Sequence, residues 1–240
     1  MTKSYRLAVT AALLALVLST ADCSRAPSRG SSAKATRIAG ELRDLASNGD
    51  TSALGQLTAR AESGNRAAQY VLATMYDAGN GVPQDPAIAA KWYRKAADQG
   101  DASAQFALGV MYSGGQGVAR DAGLAVKWFR KSAEQGDSRA QWNLGGMYAQ
   151  GEGVPKNPVL ALMWMNLGQP NLKAQLSNLK IQIVSLERSM TPTQIAQAQK
   201  LSEDWNALRK RGPRIGDSAI PTPKAPGTGI LGNQLDVAAP

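Results

Sequence analysis

The sequence predicts an all-α solenoid of about three full α/α repeats, closed at each end by helical caps. Three observations carry that expectation. A block of residues recurs without gaps every 36 positions. Each copy divides into two helix-length apolar faces joined by a glycine-rich turn. Turns and caps account for the connecting residues, so nothing is left over for a sheet. Self-similarity at a fixed period of this length marks stacked-repeat architectures.

The elements follow in chain order. Residues 1–21 read as a signal peptide. Lys3 and Arg6 precede an uncharged run from Leu7 to Leu18, and Ser19-Thr20-Ala21 supply the small residues of a cleavage site. The run is about a dozen residues long, whereas a helical membrane span takes roughly 20. The mature chain is therefore expected to begin near Asp22, to be soluble and to carry no membrane span. The single cysteine, Cys23, has no partner for an internal disulfide. Acylation signals want a small residue immediately before the cysteine, and Asp22 holds that place, so lipid anchoring at Cys23 is disfavoured. Residues 22–32 read as a flexible linker.

Residues 33–66 read as a degenerate helical pair, Ala33 to Ala46 and Ser52 to Glu62, capping the first repeat. Ser63-Gly64-Asn65 falls in the columns of Gln99-Gly100-Asp101 and sets its register. Residues 67–168 hold the repeats. Ala68, Ala104 and Ala140 correspond, as do Gln69, Gln105 and Gln141, and then Leu72, Leu108 and Leu144. Met75-Tyr76, Met111-Tyr112 and Met147-Tyr148 follow, and after them the pairs Gly79/Gly81, Gly115/Gly117 and Gly151/Gly153. Val82, Val118 and Val154 come next, with Trp92, Trp128 and Trp164 in the second half of each unit.

In the first helix of the first unit, Ala68, Leu72, Met75 and Tyr76 recur at the spacing of one helical face. Gly79 ends that helix in the left-handed conformation that glycine tolerates best. Asp85, Asp121 and Asn157 are expected N-caps of the second helices, with Pro86 and Pro158 at the first helical position. Ala89, Trp92 and Ala96 share the face that packs inward. The glycine pairs could also be read as phosphate loops. A dinucleotide fingerprint, however, needs a preceding strand and a third glycine opening a helix, and here a helix precedes and Asp or Asn opens the next.

Residues 169–210 read as C-terminal capping helices. Leu176, Leu179, Ile183 and Leu186 line one face of Leu172 to Arg188. Thr191-Pro192-Thr193-Gln194 is a capping box that opens a helix with Ile195, Ala198, Leu201, Trp205 and Leu208 directed inward. Terminal repeats need such covers because a bare repeat exposes an apolar face. Residues 211–240 are rich in Pro and Gly, lack aromatics and read as a disordered tail.

The pattern A-Q-x-x-L-x-x-M-Y-x-x-G-x-G-V-x-x-D-x-x-x-A-x-x-W, closing in K-A-A-D-Q-G-D, resembles the Sel1-like repeat family, a relative of the tetratricopeptide repeats. The resemblance covers Ala67 to Gly168. It implies a right-handed superhelix of helix pairs and a role in assembling complexes or presenting a partner, with no shared catalytic chemistry.

Composition narrows function further. The chain contains no histidine, which removes the usual general base and a common metal ligand. Neither a carboxylate pair nor a Ser-Lys pair forms a recognisable motif, so no catalytic residue, metal site or cofactor is assigned. The formal charge of +9 becomes +7 without residues 1–21. That excess favours anionic partners through screened long-range attraction. The basic residues are spread along helix faces, and an exported chain does not meet nucleic acid. Lys91, Lys127 and Met163, with Arg94 and Arg130, read as a solvated convex face.

The expected partner-binding residues are Tyr70, Phe106 and Trp142. They fall in one column of the first helices, roughly opposite Leu72 and Met75, with Ala73, Thr74 and Asp77 on the same side. In tetratricopeptide-like superhelices the first helices line the concave groove, and aromatics are frequent interface anchors. The other reading of these rings is packing between neighbouring helices. The sequence thus points to a monomeric, non-enzymatic scaffold of the periplasm that binds a protein or peptide. Two alternatives are a β-lactam-binding or hydrolysing enzyme, as in cysteine-rich relatives that carry a cysteine pair in each repeat, and a peptidoglycan- or glycan-binding module.

Overall fold

A computed structural model describes residues 29–168 and 176–211; side chains are described for 33–168 and 179–211. The signal-peptide, tail and most linker expectations lie outside these residues. Ten helices and no strand are present among them. In chain order they are α1 (Arg29–Ser47), α2 (Thr51–Glu62), α3 (Arg66–Ala78), α4 (Pro86–Asp98) and α5 (Ala102–Gly114). Then come α6 (Ala122–Glu134), α7 (Ser138–Gln150), α8 (Pro158–Gly168), α9 (Leu176–Glu187) and α10 (Pro192–Arg211). Helix α1 begins before the expected Ala33, and α10 runs through Arg211.

Each boundary follows from a named residue. Asp85 and Asp121 accept hydrogen bonds from the backbone N–H of Ile88 at 2.9 Å and Leu124 at 2.8 Å, and Asn157 accepts from Leu160 at 3.0 Å. Asp101 and Asp137 likewise cap α5 and α7 through the N–H groups of Ala104 and Ala140. Such side chains satisfy donors that the first helical turn leaves orphaned. Gly79, Gly115 and Gly151 terminate the first helices at φ 72°, 72° and 78°. The capping box closes as expected: Thr191 N–H donates to Gln194 Oε1 at 2.9 Å, and Gln194 N–H donates to Thr191 Oγ1 at 3.3 Å.

The second glycine of each turn has a tertiary task. A Cβ on Gly117 would lie 2.2 Å from the Pro86 carbonyl oxygen, and one on Gly153 would lie 2.3 Å from that of Ala122. The turn of one unit therefore rests against the start of the preceding unit's second helix, and only glycine permits that approach. Gly81 makes the corresponding contact with Ala46 at the end of α1.

The core is a row of overlapping clusters rather than one centre. The first joins Ala39, Leu42 and Ala46 of α1 to Leu57 of α2 and Leu72 and Met75 of α3. The next joins Ala89, Tyr93 and Ala96 of α4 to Leu108 and Met111 of α5 and Trp128 of α6. A third runs through Phe129, Leu144, Trp164 and Trp205, and a fourth ties α8 to Ile183 of α9 and Ala198 of α10. Every unit is covered by its neighbours, as a quasi-one-dimensional stack requires.

Several side chains depart from the sequence expectation, Trp92 among them: it is half-buried under the Lys95 ammonium, and its neighbour Tyr93 takes the buried place. Ala73 is wholly buried instead of facing solvent, because α4 packs against that side of α3. Met163 is also wholly buried, since α10 covers the face of α8 that remains exposed on α4 and α6. Leu208 was expected inward but is 40% exposed. It lies near the end of α10, beyond the buried Trp205 that packs on Trp164 with ring centroids 5.0 Å apart.

Candidate partner-binding groove

Tyr70, Phe106 and Trp142 stand at equivalent positions of α3, α5 and α7, and all three are half-buried. Their inner edges pack on the second helix of the same unit. Tyr70 meets Tyr93 with ring centroids 5.9 Å apart, and Phe106 meets Phe129 at 5.8 Å. The residue 23 positions after Trp142 is Met165, with which it shares the C-terminal cluster.

The backbone beneath this column is matched in size. Ala73, Gly109 and Gly145 occupy one column and receive Tyr93, Phe129 and Met165 from the facing helix. A Cβ on Gly109 would lie 2.5 Å from Phe129 Cδ1, and one on Gly145 2.8 Å from Met165 Cγ. Small residues there let the paired helices approach.

The outer surroundings differ along the column. Tyr70 lines a cavity of about 410 Å³ together with Arg43, Asp44, Thr74 and Met75, between α1 and α3. Phe106 lies under the Arg139 guanidinium, 4.3 Å from the ring centroid. Trp142 packs against the buried cluster that joins Val159, Leu162 and Met165 of α8 to Ile183, Met190 and Ala198. Tyr70 and Phe106 therefore present edges to the first-helix surface, while Trp142 borders the C-terminal cluster.

Electrostatics couples the first two positions. Hydrogen bonding to Asp137, at 2.6 Å, raises the Arg139 pKa above the ordinary guanidinium range, and interaction with Tyr70 adds to the rise. Arg139 is thus held over the Phe106 ring as the cationic half of an ion pair with Asp137. Behind Tyr70, burial pushes the Tyr93 hydroxyl far above the usual phenol range, and the neighbouring Asp77 carboxylate, 3.3 Å away, acts in the same direction. Tyr93 stays neutral and serves as packing.

A row of buried glutamines went unassigned in the sequence although it was visible as a repeated column. Gln69, Gln105 and Gln141 donate from Nε2 to the carbonyls of Ala61, Ala97 and Ala133 at 2.9, 3.1 and 3.1 Å. Gln99 and Gln135 donate in turn to Oε1 of Gln69 and Gln105 at 2.6 and 2.7 Å. Each relay ties the second helix of one unit to both helices of the next. The signal was a polar residue recurring within an apolar face, which is affordable only when its amide is satisfied.

Comparison with known proteins gives a consistent picture. Residues 66–101, 102–137 and 138–168 match the Sel1 repeat family model. A Sel1 repeat protein from Oxalobacter formigenes is 37% identical over 55% of this chain and 55% of its own, with a TM-score of 0.51. A protective antigen of uropathogenic Escherichia coli strains, displaying an SLR fold, is 30% identical over 72% of this chain and 45% of its own, with a TM-score of 0.46. The chain spans about half the length of these two proteins. No curated protein matches.

Proposed function

Because this chain belongs to the Sel1 repeat family, we propose that it is a non-catalytic scaffold of the cell envelope that holds a protein or peptide partner on its first-helix surface. Sel1 repeat proteins typically act as protein-interaction scaffolds. The observation that carries the finer reading is the cavity beside Tyr70, continued by the Phe106–Arg139 pair one unit along. Half-exposed aromatics beside a guanidinium held by Asp137 offer apolar area and hydrogen-bond donors, the combination found in interface anchors. Trp142 belongs to the same column and supports the strip from within the C-terminal cluster.

Periplasmic placement rests on the basic start, apolar run and small residues of Lys3 to Ala21. Among the described residues no helix is long and apolar enough to cross a membrane.

A photo-crosslinking residue at Thr74, which borders the cavity, tests the groove in intact cells. The expected result is a discrete adduct, identified by mass spectrometry, that forms again with the purified partner. It should be lost in a Tyr70→Ala/Phe106→Ala variant that keeps its helical circular dichroism. An adduct insensitive to both substitutions, with the fold intact, refutes the groove.

A further inference from the structure

On the opposite helices, α4 and α6, the repeat carries a second pattern that the groove does not use. Lys91, Arg94 and Lys95 recur as Lys127, Arg130 and Lys131, and the third copy replaces them with Met163, Asn166 and Leu167 beneath α10. The cations are therefore confined to the first two units and stop where the cap covers the surface.

These side chains are arranged rather than merely solvated. Arg94 and Lys131 lie over the same Trp128 ring, 5.0 and 4.4 Å from its centroid, and Lys95 lies 3.9 Å over Trp92. Cation–π contacts hold a charge in place without neutralising it. Arg130 donates to the Tyr148 hydroxyl, a neutral acceptor that also leaves its charge intact. Solvated helix faces ordinarily interleave carboxylates one turn away. Arg94 has such a partner in Asp98 at 3.0 Å, but none of Lys91, Lys95, Lys127, Arg130 and Lys131 forms a salt bridge among the described residues.

Between these elements lies a recess of about 570 Å³, bounded by Arg94 of α4, the exposed side of α6 and Gly153-Val154 of the third unit. Its wall is apolar, from Leu124, Val126, Trp128 and Val154. Four cations line it against a single carboxylate, Glu134. Burial raises the Glu134 pKa from its ordinary value, and Arg130 opposes that rise.

We infer that this recess is a second docking site, which takes an acidic peptide segment of a partner protein by seating an apolar side chain between α4 and α6 while flanking carboxylates meet Lys127 and Lys131. Charge complementarity selects the acid, and the apolar wall selects a peptide. A polyanionic glycan gains nothing from Leu124 and Val154. A flat anionic bilayer meets the protruding lysines before it reaches a recess. The site spans three units, so it exists only in the assembled stack.

The test uses the purified chain and a short fluorescein-labelled peptide of alternating Glu and Leu, read by fluorescence anisotropy. The inference expects saturable binding that weakens as salt rises, because exposed charges are screened. Lys127→Glu/Lys131→Glu alters two exposed residues and should weaken binding at least tenfold with the thermal midpoint little changed. Glu134→Gln should tighten it severalfold. Tyr70→Ala/Phe106→Ala should leave it unchanged, which separates this site from the first-helix groove. Three results overturn the inference: no saturable binding, equal binding by the charge-reversed variant, or loss of binding on substitution of Tyr70 and Phe106 alone. Equal or tighter retention by heparin, or by vesicles containing anionic phospholipid, also overturns it in favour of a polyanion surface.

Discussion

At the scale of single residues, two glycines of neighbouring first helices show how position decides the sign of one substitution. Gly109 sits against the Phe129 ring, which is 2% exposed and hemmed in by its cluster, so a methyl group there has to displace packed atoms. Overpacking of this kind costs about 1–3 kcal/mol, more than the roughly 1 kcal/mol that alanine gains over glycine in a helix. Gly146 lies in the interior of α7 with nothing within 4 Å of the added Cβ. Gly109→Ala is expected to lower the urea midpoint and Gly146→Ala to raise it. Equal midpoints for the two variants would contradict the packing account. The sequence shows both as glycines of one repeated helix. Only Gly109 is in the column that meets a large ring, a distinction made by the facing helix.

At the scale of elements, the helices are joined by the glutamine relays as much as by apolar burial. Gln105 is 4% exposed and links α4, α5 and α6 through Ala97 and Gln135. Gln105→Leu keeps the bulk and removes both hydrogen bonds. A buried polar group that loses its partner costs about 1–3 kcal/mol, so a destabilisation of that order is expected in a denaturant titration. Gln99→Ala, at a more exposed position, removes one bond of the preceding relay and should cost less. An unchanged midpoint for Gln105→Leu would show that the relay contributes nothing net. Helix limits were legible in advance because caps act locally: Asp85, Asp121, Asn157 and the Thr191–Gln194 box each work within three residues. The relays were not, because their partners are eight and 30 positions away.

At the scale of the molecule, a stack of nearest-neighbour contacts should fail from its ends. The C-terminal end is held by Trp205, which is 3% exposed and lies edge-on to Trp164, and by Arg209, which donates to the Gln135 carbonyl at 3.2 Å. A cation at a helix C-terminus is favourable for the dipole of α6. Trp205→Ala removes a buried ring and is expected to cost about 3–5 kcal/mol. Hydrogen exchange should quicken first in α8 to α10, while α1 to α3 keep their protection, since among the described residues no core cluster joins the two ends directly. Uniform acceleration along the chain would show a single cooperative unit instead. The closing helix also shapes the surface at this scale, because it covers the third unit's outer face, where Met163 and Leu167 stand in place of the lysines of the first two units.

The sequence by itself determined the repeat period, the helix pairs, their caps and the family, since each depends on residues within a turn or two of one another or on identity at a fixed spacing. It also placed Tyr70, Phe106 and Trp142 in one column. Tertiary structure alone decided that Ala73 and Met163 are buried, that Trp142 borders the C-terminal cluster, and that Arg94 and Lys131 share one indole. Helical periodicity shows which residues share a face; what covers that face depends on elements far away in the chain.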